Sequence, residues 1–204
     1  MKRSLFVITA LALSFNASAK TLTIGFDLSG SNLLLSHENF AYSASQYVSN
    51  EINKLKSGDR VQIKTFGARS QATNLVTHTL VISRKNKADK VAQLVGNFIR
   101  NLPKHDNIQQ SSTNLIAWLE FTDGFNCEQE GEILVVTDGL ESSSYLSGKE
   151  FIEGKKTLPK ADVDLNGCNL TRLKPFVMPG ANGPLRLARV SKRSFLNEIR
   201  RKFN

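Results

Sequence analysis

Asp27-Leu28-Ser29-Gly30-Ser31 carries one carboxylate and two hydroxyls at alternate positions. Alternate residues of an extended chain point the same way, so Asp27, Ser29 and Ser31 are predicted to converge on one point. All three offer hard oxygen donors. Such a set suits Mg²⁺ or Mn²⁺, which take octahedral oxygen shells and keep several waters. Two further places supply oxygen, Ser112-Thr113-Asn114 and Thr137-Asp138-Gly139. Each alone has an ordinary explanation, a helix N-cap at the first and an Asp-Gly turn at the second. A D-x-S-x-S string also arises by chance, in roughly one chain in twenty. The three together, each at the end of its own element, are hard to assign to caps and turns.

Strands and helices must alternate to hold these loops together. Residues 21–26 form a short β-rich run with Leu22, Ile24 and Phe26 on one face. Phe40, Ala44, Tyr47, Val48, Ile52 and Leu55 recur at helical spacing, with Gly58 expected to close that helix. Residues 60–66 alternate as a strand, and residues 75–82 read as its hairpin partner. Val91, Leu94, Val95, Phe98 and Leu102 make a second amphipathic helix stopped by Pro103, and a third is predicted to start near Ser112. Residues 132–136 are a buried strand leading into Thr137-Asp138-Gly139.

Beyond residue 140 the pattern weakens. Residues 141–167 are polar and lysine-rich, with at most a short helix at 149–156. Residues 170–178 read as a strand that Pro175 demotes to an edge or interrupts. No sixth strand is evident, and Phe195, Ile199 and Phe203 suggest a closing helix. The alternation predicts a doubly wound α/β domain, with a mostly parallel central sheet and helices on both faces. In such a sheet, ligands sit beyond the carboxyl ends of the strands, where the strand order reverses.

At these residues the sequence resembles the von Willebrand factor type A (VWA) domain family, with its Rossmann-like fold. That family's metal-ion-dependent adhesion site has a D-x-S-x-S loop, a Thr in a second loop, and an Asp after a strand, often within T-D-G. Those positions are filled by Asp27, Ser29 and Ser31, then Thr113, then Asp138. Ser111 and Ser112 stand where glycines are frequent in the family. The resemblance runs from Thr21 to Leu140 and departs from the family pattern afterwards. It implies a protein-binding module for adhesion or assembly, whose Mg²⁺ (or Mn²⁺) takes up an acidic residue from a partner protein. The physics agrees: an ion with few direct carboxylates keeps excess positive charge, and an incoming carboxylate is favoured.

The first nineteen residues read as a secretory leader. Lys2 and Arg3 precede an eleven-residue apolar run, and Ala17-Ser18-Ala19 supplies small residues for cleavage after Ala19. The run is too short to anchor in a bilayer, and no later one approaches the ~20 residues of a membrane span. Residues 20–204 are then expected as one VWA-like domain, periplasmic or secreted. Cys127 and Cys168 are the only cysteines. An even pair bound for an oxidising compartment reads as a disulfide, and two thiols without further soft ligands make a poor zinc site. In the expected strand order both lie at the edge of the sheet opposite the metal loops.

Charge is uneven along the chain. Residues 155–204 hold 12 basic and 3 acidic side chains, against 13 and 15 in residues 20–154. This favours a solvated face, with a secondary anionic contact as the sharper alternative. Arg186, Arg189, Lys192, Arg193, Arg200, Arg201 and Lys202 would form its basic stripe. As a binder of nucleic acid or a membrane surface the segment has only sparse aromatic interleaving (Phe176, Phe195, Phe203) and no recognised nucleic-acid motif. A metal-dependent hydrolase is the remaining rival, with Ser29 or Ser31 as nucleophile. Against catalysis, neither G-x-S-x-G nor a phosphate loop is present, and His37, at the head of the first helix, reads as a surface residue.

Overall fold

The computed structural model describes residues 19–67, 76–121, 131–138, 168–177 and 185–191. Its strands are β1 (Thr21–Asp27), β2 (Arg60–Phe66), β3 (Thr77–Val81), β4 (Glu132–Val136), β5 (Asn169–Val177) and β6 (Leu185–Ser191). Its α-helices are α1 (Glu38–Asn53), α2 (Ala88–Asn101) and α3 (Leu115–Phe121). The six strands form one sheet in the order β3-β2-β1-β4-β5-β6. Pairings β1–β2, β1–β4 and β4–β5 are parallel, while β3 and β6 run antiparallel at the two edges. This is the predicted doubly wound α/β sheet.

The two central strands, β1 and β4, are buried almost throughout, while β2 alternates buried with partly exposed residues. On one face Leu22, Ile24 and Phe26 of β1 join Val61, Ile63, Leu134, Val136 and Leu173 beneath α1 and α2. Those helices contribute Phe40, Ala44, Val48 and Ile52, and Val91, Val95 and Ile99. On the other face α3 lays Leu115, Trp118 and Leu119 against Phe66, Ile133, Val135 and Leu170. Trp118 stacks on Phe66 with ring centroids 4.9 Å apart. Its ring also lies over Gly25, where any Cβ would come within 2.5 Å of the indole. Glycine is required there for close approach, not for backbone freedom.

The structure refines several sequence expectations. Helix α1 ends at Asn53, and Gly58 serves the following turn with φ of 100°, donating its N–H to the Ile82 carbonyl. Helix α2 stops one residue before a 3₁₀ turn, Leu102–Lys104, that accommodates Pro103. Strand β3 begins at Thr77, and Leu75 lies outside the described residues. Helix α3 begins at Leu115 rather than near Ser112, because the chain at Gln110 is still bridged to Ser29 in strand fashion.

Pro175 does not make β5 an edge, since β6 pairs with it from Thr171 to Val177. The reason is positional. Leu173 turns its carbonyl toward β4, where it accepts the Thr137 N–H, and alternation turns the Pro175 nitrogen the same way. Strand β4 has ended at Val136 by then, so the missing N–H forfeits no ladder bond. The sixth strand that the sequence did not display is β6. The predicted helices at 149–156 and 195–203 fall outside the described residues.

Candidate functional site

Strand β1 is the pivot of the winding: the chain places β2 on one side of it and β4 on the other. In a doubly wound sheet this reversal is where a ligand crevice is expected, beyond the carboxyl ends of β1 and β4. Phe26 pairs with Val136, so Asp27 and Thr137 leave the sheet at the same level. Asp27 is fully buried. The Thr137 hydroxyl donates to its Oδ2 at 2.6 Å, and the Ser29 backbone N–H donates to its Oδ1 at 2.9 Å. Burial pushes the Asp27 carboxyl up to about 6, against the pull of these donors, and the charge of Asp138 adds to the rise.

Ser29 and Ser31 complete the first loop. Their hydroxyl oxygens lie 3.3 Å apart, with Ser29 buried and Ser31 exposed. Adjacent ligands of an octahedral ion with ~2.1 Å bonds are separated by about 3.0 Å, so this spacing fits one edge of such a shell. The second loop is docked alongside. Gln110 donates its N–H to the Leu28 carbonyl at 2.8 Å, and its own carbonyl accepts the Gly30 N–H at 3.1 Å. Thr113 follows three residues later, fully buried, and Asn114 accepts the Trp118 N–H in the first turn of α3. Asp138 is half-buried just past β4, and its carbonyl accepts from Arg172 Nη2 at 3.3 Å.

The donor set is chemically coherent. Among the described residues no three His, Cys, Asp or Glu side chains cluster as a metal site. An ion here would lean on two carboxylates and three hydroxyls, all oxygen, and would retain positive charge toward an incoming group. Asp27, Ser29 and Ser31 are brought together as expected, with Asp138 within electrostatic reach and the Thr113 loop bonded beside them. These residues fit a hard divalent ion.

Two supporting residues were not singled out from the sequence. Asn32 is fully buried and donates from Nδ2 to both the Asp27 carbonyl (2.7 Å) and the Val136 carbonyl (3.3 Å). It staples the ends of the two strands that bear the carboxylates. Arg172 is the other, a fully buried cation in β5. Nothing in its sequence neighbourhood, which also holds Asn169, Thr171 and Lys174, marks it for burial. Burial also removes Arg172 from any basic docking surface; Lys192, Arg193, Arg200, Arg201 and Lys202 lie outside the described residues. His37 is exposed at the head of α1, its Nδ1 3.0 Å from the Ser36 hydroxyl. Cys168 is buried at the entry to β5, while Cys127 lies outside the described residues. Among the described residues no helix is long and apolar enough to cross a membrane.

No protein-family model and no curated protein matches the chain. Among solved structures it is similar to an aerotolerance-related membrane protein from Bacteroides fragilis NCTC 9343, in a form with multiple mutations to serines. That match has 16% identity and a TM-score of 0.40, over 91% of this chain and 89% of that one. It is similar also to the conserved hypothetical protein BatB from Bacteroides thetaiotaomicron, at 17% identity and TM-score 0.39, over 90% and 86% of the two chains. The pilus adhesin SpaC from Lactobacillus rhamnosus GG, in an open conformation, is similar at 15% identity and TM-score 0.39, over 62% of this chain and 15% of that one. Likenesses this slight carry no functional argument, and the case for function rests on the site itself.

Proposed function

We propose that this chain is an exported, divalent-metal-dependent protein-binding module of VWA type, serving adhesion or assembly. Asp27, Ser29, Ser31, Thr113 and Asp138 would hold Mg²⁺ or Mn²⁺. Bound there, the ion supplies positive charge that a partner's Asp or Glu side chain neutralises. The observation that carries this reading is the Asp27 carboxylate, wholly buried and pushed up to about 6 with a second carboxylate bearing on it. Such an arrangement is unfavourable without a cation and is relieved by one.

Calorimetry on residues 20–204 tests the reading directly. Mg²⁺ or Mn²⁺ should bind, and capture of an envelope partner should be lost in EDTA. Asp27→Ala should abolish metal uptake, since it removes a ligand and the repulsion together. It also removes the acceptor of the Thr137 hydroxyl and the Ser29 N–H, so the variant should fold with reduced stability. Thr113→Ala should leave folding intact and weaken metal-dependent capture. Absence of any Mg²⁺ or Mn²⁺ binding at millimolar ion, with a partner carboxylate supplied, would refute the proposal.

A further inference from the structure

The opposite end of β1 carries an arrangement that the candidate site does not use. Lys20 immediately precedes the strand, and both of its nitrogens meet carboxylates. Its main-chain nitrogen donates to Asp59 Oδ1 at 2.9 Å, and its Nζ lies 3.1 Å from Glu132 Oε2. Its carbonyl accepts the Arg60 N–H at 2.8 Å. Asp59 precedes β2 and Glu132 opens β4, so Lys20 is held from both strands that flank β1. The Asp59 carboxylate is already oriented by the Lys56 N–H, which donates to Oδ2 at 2.7 Å. One oxygen is fixed by its own turn, and the other is aimed at the Lys20 nitrogen.

A carboxylate aimed at this main-chain nitrogen binds it more strongly once the nitrogen is an ammonium. We propose that the Asp59 carboxylate is the receptor for a newly made N-terminus, the Lys20 α-ammonium released when the leader is cut after Ala19. In that hydrolysis the C–N bond between Ala19 and Lys20 breaks, the water oxygen joins the Ala19 carbonyl carbon, and both water protons end on the Lys20 nitrogen. The leader departs with Ala19 as its carboxylate, and Lys20 becomes a cation. One of its N–H bonds keeps the direction of the former amide, so the amide-to-carboxylate hydrogen bond to Asp59 becomes an ammonium–carboxylate ion pair. Leader removal thus completes the fold at the root of its central strand. The cut itself occurs on the unfolded chain, so access in the folded state is not needed. The inference depends on the cleavage position, and it is independent of metal binding at the far end of β1.

The test compares residues 20–204 with a chain that keeps Ala17-Ser18-Ala19 and so carries its terminal charge three residues away. Urea unfolding at pH 7 should give the shorter chain a folding equilibrium constant larger by roughly three- to tenfold, as expected when one hydrogen bond gains a charged donor. In Asp59→Ser, which keeps an acceptor for Lys56, the ratio should fall to about one. If that variant does not fold, Asp59→Asn takes its place. A ratio of one in the unsubstituted pair, or a ratio that persists in the Asp59 variant, overturns the proposal. So does an intact mass of the exported protein that places the N-terminus elsewhere than Lys20.

Discussion

The Thr137 hydroxyl donates to the Asp27 carboxylate at 2.6 Å across 110 residues of sequence. It closes the carboxyl ends of β4 and β1 over one another and orients the buried anion. Thr137→Val keeps the branched shape and removes the donor. The Asp27 carboxyl should then rise above 6, because a bond that favoured its charged form is gone. Stability at pH 7 should drop by about 1.5–3 kcal/mol, the range for hydrogen bonds to charged groups. Titration of Asp27 by carboxyl-carbon NMR, with urea unfolding alongside, checks both.

In the metal-free protein Asp27 should also write a signature into the pH dependence of stability. Its folded-state value, about 6, lies above its ordinary 3.8, so between these values the native state binds more protons than the unfolded state. The contribution is therefore full below pH 4 and is lost as pH rises toward 6 and beyond. The size is about 3 kcal/mol at most. The comparison that isolates it is wild type against Asp27→Asn in EDTA, at pH 4.5 and pH 7.5. The variant should lose less stability across that interval, and saturating Mg²⁺ should reduce the difference.

Gly25→Ala should be costly although both residues are small. The new methyl would stand 2.5 Å from the ring of Trp118, a buried side chain also stacked on Phe66. Overpacking of this kind costs about 1–3 kcal/mol. A lowered melting temperature and altered near-ultraviolet dichroism would register it.

Asn32→Ala removes both bonds that hold the Asp27 and Val136 carbonyls to one side chain. Leaving buried acceptors unmet costs about 1–3 kcal/mol each, with part recovered if water enters. Metal affinity should weaken along with stability, because the two strand ends lose their shared anchor. Equal metal affinity in the variant would limit Asn32 to a folding role.

The pairing of Cys127 with Cys168 remains a proposal with a simple assay. Reduction should destabilise the mature protein by roughly 4 kcal/mol, as loop closure of this length predicts. Two thiols titrated in denatured, non-reduced protein would exclude the bond.

How much could be read in advance followed from how local each feature is. Strands β2 and β4 have the expected bounds, because local pattern marks both: β2 alternates apolar with polar residues, and β4 is a consecutive buried run. The D-x-S-x-S loop was legible for the same reason. Asn32 was not, since its meaning lies in Val136, which reaches it only through the β1–β4 pairing. The start of α3 was misplaced because Ser112 and Thr113 look like caps, while the bridge between Ser29 and Gln110 keeps that stretch from starting a helix. Strand β6 was hidden by composition: Arg186 and Arg189 read as part of a charge block, and the alternation of Leu185 and Leu187 slips at Ala188.

The chain contains a single tryptophan, and it stands four residues from Asn114 at the mouth of the second loop. Trp118 reaches from that loop to the floor of the sheet, resting on Gly25 and Phe66. Its emission is therefore an unlabelled optical gauge of one place. Any shift of the Thr113 loop as the crevice fills should slide the indole over its phenyl neighbour and change the quantum yield. Ion uptake, loop docking and unfolding could then be followed in a stopped-flow cell without modifying the protein.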